Sequence, residues 1–219
     1  MVGQAPSEGA AMSPEWYVLP AGTELWRCHD SRFKATAFNP NPVSSPLGGG
    51  RFDSTAADPY PFLYAAPDPA TALAEVLLRD MDFTGSYRER MVPWADVVGR
   101  TLSKVCTTED LILARLIKEE DLAAVFQTSK LLYTTQYDRT RRWASELHRQ
   151  VLDARGLWWQ SRCHRPRGVL MLFGDRCGAE PLKAAPGHAH NLGTVEGYEE
   201  ANRLLAPLRA FVLPPGVSM

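Results

Sequence analysis

The chain has 219 residues, 45% of them apolar and 22% charged, with a net charge of −1. That describes an ordinary soluble globular protein of one domain with tails, long enough to bury a sizeable core. No apolar run approaches the roughly 18 residues of a membrane span, and the N-terminus lacks the basic start and apolar centre of a secretory leader, so a cytoplasmic location is expected.

Residues 1–14 are small and polar and are expected to be disordered, within a flexible leader reaching residue 22. Thr23 to His29 alternates as a first strand, ending near Trp26 and Arg27. From Asp30 to Gly50 three prolines and three glycines give a long loop, expected to fold over a ligand. The loop ends in Gly48-Gly49-Gly50-Arg51, a cation on backbone that can approach a ligand closely. Phe62 to Ala65 reads as a strand, and Asp68-Pro69 as a helix start, with Asp as N-cap and Pro in the first turn.

That helix carries Leu73, Val76 and Leu77 on one face and Glu75 roughly opposite. A solvated glutamate is the plain reading of Glu75, but Thr71, Ala72, Ala74 and Leu78 around it are apolar enough for a helix covered on both sides. Met91 to Cys106 reads as strands broken near Gly99, Thr108 to Lys118 as a helix with an acidic first turn, and Leu131 to Thr135 as a short strand. Thr140 to Ala154 reads as a basic helix burying Trp143, Ala144, Leu147, Val151 and Leu152, stopped by Gly156. Leu157 to Gln160 is a strand leading to Ser161, Gly168 to Phe173 the centre of the sheet, 178–195 a loop, and Glu196 to Leu205 a last helix.

Charge is segregated. Eight arginines against two acids lie between Arg139 and Arg167, and five acids lie between Glu109 and Asp121. Arginine in place of lysine favours forked bonding to phosphate or carboxylate. The cysteines (28, 106, 163 and 177) form no close pair and are expected to be reduced, with no metal; a zinc site from Cys28, His29, Cys163 and His164 is disfavoured because adjacent ligands poorly supply two corners of a tetrahedron. The sequence has no nucleophile elbow, Walker A loop, dinucleotide glycine fingerprint or zinc-protease helix.

Trp26-Arg27, Gly49-Gly50-Arg51, Tyr64, Ala72-Leu73-Ala74-Glu75-Val76, and Gly156-Leu157 leading to Gln160-Ser161-Arg162 resemble, in order, the RES domain family over about residues 23–177. The family usually has Trp-Asn after Gly-Gly-Arg, where this chain has Phe52-Asp53, and the added negative charge is expected to weaken anion binding at Arg51. The resemblance implies an α+β fold, a mixed central sheet with flanking helices similar to ADP-ribosyltransferase-type folds, with 178–219 as an extension packing on the domain.

It also implies an enzyme that consumes NAD by cleaving the nicotinamide–ribose bond, with water or inorganic phosphate as acceptor. Arg27, Arg51, Glu75 and Ser161 are then the catalytic set, and Arg27, Arg51, Tyr64, Ser161 and Arg162 bind NAD. Glu75 would stabilise the oxocarbenium-like state, Arg27 and Arg51 would hold the pyrophosphate or an attacking phosphate, and Ser161 would donate to the same anion. Plainer readings stand beside these: Arg27 as a strand-end ion-pair partner, Arg51 capping a turn, Tyr64 in the core, Ser161 in a turn. Some family members are toxins paired with a helix-turn-helix antitoxin, which makes such a partner an expectation. Transfer of ADP-ribose to a protein and a non-enzymatic anion-binding or nucleic-acid-binding domain are the alternatives; direct nucleic-acid binding is not expected, and a homodimer is left open.

Overall fold

The computed structural model describes residues 10–43, 48–83 and 88–217. A five-stranded mixed sheet runs in the order β1 (Trp16–Leu19), β6 (Leu111–Leu116), β7 (Gly156–Gln160), β8 (Gly168–Phe173), β3 (Phe62–Ala65). Only the β6–β7 pair in it is parallel. A three-stranded antiparallel sheet holds β2 (Glu24–Asp30), β5 (Arg100–Thr107) and β9 (Leu182–Asn191). Reciprocal backbone bonds between Trp26 and Ala66, 2.6 and 2.9 Å, tie the sheets together beside the end of β3. A short parallel pair, β4 (Arg90–Val92) with β10 (Ala210–Val212), completes the strands.

The apolar run of β8 is buried on both faces, as a period of two requires. Val169, Met171 and Phe173 face the helices, while Leu170 and Leu172 meet Leu25, Val105 and Leu182 between the sheets. β8 lies fourth in the order, between β7 and β3, so β7 holds the middle position expected of it. Helix α1 (Pro69–Leu77) begins as its residues dictate: the Asp68 carboxylate accepts from Thr71 N–H at 2.8 Å and Pro69 occupies the first turn. Leu73 and Ala74 are fully buried, and α5 (Val195–Leu205) packs along the helix, leaving Glu75 and Val76 half-buried. The shorter helices α2 (Glu119–Ala123) and α3 (Lys130–Tyr133) precede α4 (Tyr137–Gln150).

Several expectations are corrected. The leader is not free up to residue 22, because Met12 is buried, Ser13 N–H donates to Ala124 O at 3.1 Å, and β1 pairs in register with β6. Residues 1–9, also expected to be disordered, lie outside the described residues. Residues 111–116 form a strand in place of a helix: pairing to β1 and β7 buries Leu111 and Leu113 on one face and Ala114 and Leu116 on the other, which outweighs their helical propensity. Residues 130–133 are helical, and 182–191 form β9. Pro186 and Gly187 sit where the β5–β9 register shifts between Ser103 and Val105. Leu152 is 74% exposed, because α4 ends at Gln150. Gly156 is no helix stop; it starts β7, where a Cβ would lie 2.2 Å from Met171 O.

Candidate active site

The glycine loop before Arg51 is clamped residue by residue. Arg141 Nη2 donates to Gly48 O at 2.5 Å, Arg79 Nη1 to Gly49 O at 3.0 Å, and Gly50 N–H to Asp53 Oδ2 at 2.6 Å. Packing is so close that a Cβ on Gly50 would meet Asp53 Oδ1 at 2.5 Å and the Tyr64 hydroxyl at 2.9 Å, which is why the position takes glycine. The Tyr64 hydroxyl accepts from Phe52 N–H at 2.9 Å and donates to Asp53 Oδ1 at 2.8 Å. Phe52 is fully buried against Trp143 and Trp159, so it anchors the turn that aims Arg51.

Asp53, the acid expected to weaken anion binding at Arg51, is held by the loop itself. Both its oxygens are engaged under the loop, and burial holds its pKa above the usual carboxylate range against the pull of the Gly50 and Tyr64 bonds. Arg51 is 8% exposed. Its Nη1 donates to Leu131 O and Thr134 O, each at 2.8 Å, and its guanidinium stands 5.1 Å from the Tyr137 ring centre.

Arg51 opens onto a cleft of about 660 Å³ that Arg27, Tyr64, Glu75 and Arg162 also line. Its volume falls within the roughly 300–1,000 Å³ of small-molecule sites. The 30–41 segment, with Arg32, Phe33, Phe38 and Asn39, forms one wall. Arg27 holds that wall: its Nη1 donates to Ala35 O and Ala37 O, both at 2.7 Å. Burial brings the Arg27 pKa down to about 10, which leaves it charged at neutral pH.

Ser161, expected to donate to a bound anion, is fully buried and stands behind the cleft lining. Its Oγ accepts from the N–H groups of Cys163 and His164, at 3.1 and 2.9 Å, and its single hydrogen goes to Glu75 Oε1 at 2.6 Å. Backbone, hydroxyl and carboxylate are thus linked in series, with Ser161 behind Glu75.

Sequence reasoning missed Arg79, Arg100, Tyr137 and Trp159, all on the cleft wall. Arg79 could have been found, since it stands four residues after Glu75 and helical spacing puts such pairs on one side. Tyr137 carries no local signal. His29, bonded to Asp30 O and Ser103, and His164, bonded to Thr71, brace the frame. Burial pushes the thiols of Cys28 and Cys163 up to about 12, so neither supplies a thiolate at neutral pH. Among the described residues no three His, Cys, Asp or Glu are grouped to hold a metal.

The model of the RES domain family matches residues 24–192, a span holding Arg27, Arg51, Glu75 and Ser161. The chain belongs to the RES domain family. This RES domain is similar in fold to a chain of the crystal structure of the M. tuberculosis MbcT-MbcA toxin-antitoxin complex: 13% identity, 84% of this chain and 91% of that chain covered, TM-score 0.58. No curated protein matches it. The arginines of 139–167 do not form one surface on the RES domain: Arg141 is buried under Gly48, Arg162 lines the cleft, and Arg155 pairs with Glu109 at 2.8 Å.

Proposed function

We propose that this RES domain cleaves the nicotinamide–ribose bond of NAD, passing the ADP-ribosyl group to water or inorganic phosphate. The observation that carries this reading is a Glu75 carboxylate held from behind by Ser161, on the wall of a cleft also lined by Arg27, Arg51, Arg79 and Arg162. Breaking that bond builds positive charge on the ribose, while the cationic pyridinium ring departs neutral and needs no proton. One carboxylate then suffices, where an ordinary glycosidase uses two. Asp53, the other acid near Arg51, has both oxygens engaged by Gly50 and Tyr64, which suits it to holding the loop and not to acid–base work.

In this reading Glu75 hydrogen-bonds the ribose and stabilises the oxocarbenium-like transition state electrostatically. Arg51 and Arg27 meet the phosphates through the N–H groups left after their backbone bonds, Arg162 adds a third cation, and the Tyr64 ring packs against the sugar or base. No helix among the described residues is long and apolar enough to cross a membrane. We place the protein in the cytoplasm as a toxin-type enzyme with a protein antitoxin of helix-turn-helix type; family membership and the toxin–antitoxin complex its fold resembles support the toxin role and the antitoxin partner. Nicotinamide release from NAD by the purified protein, in buffers with and without phosphate, tests the reading. Labelled protein from labelled NAD would instead favour transfer to a protein target.

A further inference from the structure

The cleft carries three neighbouring arginines, 51, 79 and 162, and among the described residues a single exposed acid, Asp80, stands within ion-pair reach of them, at 3.3 Å from Arg79 and 3.6 Å from Arg162. The guanidiniums of Arg51 and Arg79 stand 5.1 and 5.6 Å from the centre of one ring, that of Tyr137. Arg162 joins them, donating through Nη2 to the backbone carbonyl of Arg79. Arg79 also faces Asp80 at 3.3 Å, but that carboxylate is 66% exposed and weakened by water.

Not all of these donors are spent. Arg51 uses only Nη1, and Arg79 uses Nη1 on Gly49 O and Nε on Asp80. Among the described residues no acceptor meets Nε or Nη2 of Arg51, or Nη2 of Arg79. These donors are not among the buried atoms without a partner; they open on the cleft, where the oxygens of a ligand can accept from them in place of water. Burial lowers the Arg51 pKa, and the like charge of Arg162 works in the same direction, so an anion here relieves repulsion. Two forked cations stacked about one ring match the several oxygens of a diphosphate better than a single carboxylate.

We propose that Arg79, together with Arg51 and Tyr137, seats the diphosphate of a nucleotide ligand, making Arg79 a binding residue of this site. The proposal rests on the NAD reading for the identity of the ligand but not for its charge. Arg79→Gln tests it by removing the charge, and Arg79→Lys, whose ammonium reaches about as far as the guanidinium carbon, keeps the charge without the fork. ADP, NAD and nicotinamide are the probes, with binding followed by calorimetry and turnover by nicotinamide release.

Arg79→Gln is expected to weaken ADP and raise the KM for NAD about 10–100-fold, the size of a lost hydrogen bond to a charged group. Inhibition by nicotinamide, which has no phosphate, should barely change, and Arg79→Lys should recover part of the ADP affinity. An unchanged ADP affinity in Arg79→Gln overturns the proposal, as does an equal loss for ADP and nicotinamide, which would mark a role only in holding the loop. Wild-type protein that binds ADP through Arg79 but releases no nicotinamide from NAD would keep the seat and remove the NAD reading. Wild-type protein that binds neither ADP nor NAD removes both.

Discussion

The hydroxyl of Ser161 lies 2.6 Å from Oε1 of Glu75, a partner 86 residues earlier in the chain. Because Ser161 Oγ already accepts from two backbone N–H groups, its hydrogen points at the carboxylate and fixes where Glu75 stands in the cleft. Ser161→Ala is expected to lower kcat for nicotinamide release about 10²-fold with little change in KM, as for the loss of one preorganised donor. It also strands the N–H groups of Cys163 and His164, costing about 1–3 kcal/mol in a urea melt. A melt that shifts while kcat holds would make Ser161 a turn residue only.

Gly156 and Gly50 differ in what a methyl group would meet. At Gly156 the nearest atom is Met171 O of the neighbouring strand at 2.2 Å; at Gly50 the nearest are the side-chain oxygens of Asp53 and Tyr64. Gly156→Ala should therefore destabilise the fold by about 3 kcal/mol or more. Gly50→Ala should cost less in stability but abolish most turnover, since it displaces the clamp behind Arg51. Denaturant midpoints and nicotinamide release on the same two samples check both halves.

Two buried acids act on stability with opposite sign. Asp53 has its pKa raised, chiefly by burial, so its ionised form costs the folded state something that vanishes as pH falls through the folded pKa. Asp121 is fully buried; burial works against its charged form, but bonds from Arg115 and from the N–H groups of Lys118 and Ile117 prevail and depress its pKa. It stabilises the fold above the ordinary aspartate pKa of about 3.9, and that contribution is lost as pH falls through the depressed value. Relative to wild type, Asp53→Asn should gain stability as pH rises from about 4 toward neutrality. Asp121→Asn should lose about 3 kcal/mol at neutral pH and less in acid. Urea midpoints across that range check both, and parallel curves for the two variants would contradict the assignment.

What could be read along the chain was what neighbours in sequence decide. The Asp68-Pro69 helix start, the Phe62–Ala65 strand and the glycine approach to Arg51 each depend on a few adjacent residues. Pairing at a distance hid the rest. Leu111–Leu116 has helix-forming residues and becomes a strand only because β1 and β7 flank it, and Pro186-Gly187 disguised β9 by sitting at its register shift. The site divides in the same way. Arg27, Arg51, Tyr64, Glu75 and Arg162 do line one cleft, but the direction of the Ser161 hydrogen and the Arg27 bonds to Ala35 and Ala37 depend on folded geometry. The partners of Asp53, Gly50 N–H and the Tyr64 hydroxyl, were hidden for the same reason, since they are set by the loop's shape.

The central claim is that the Glu75 carboxylate drives cleavage of NAD, and a side-by-side assay of wild type and Glu75→Gln measures it most directly. Nicotinamide is followed from NAD with and without inorganic phosphate, on samples matched for thermal midpoint. The account predicts release by wild type in at least one buffer and a rate about 10²–10³ lower for Glu75→Gln. Release by neither protein in either buffer, or equal rates from both, would contradict it.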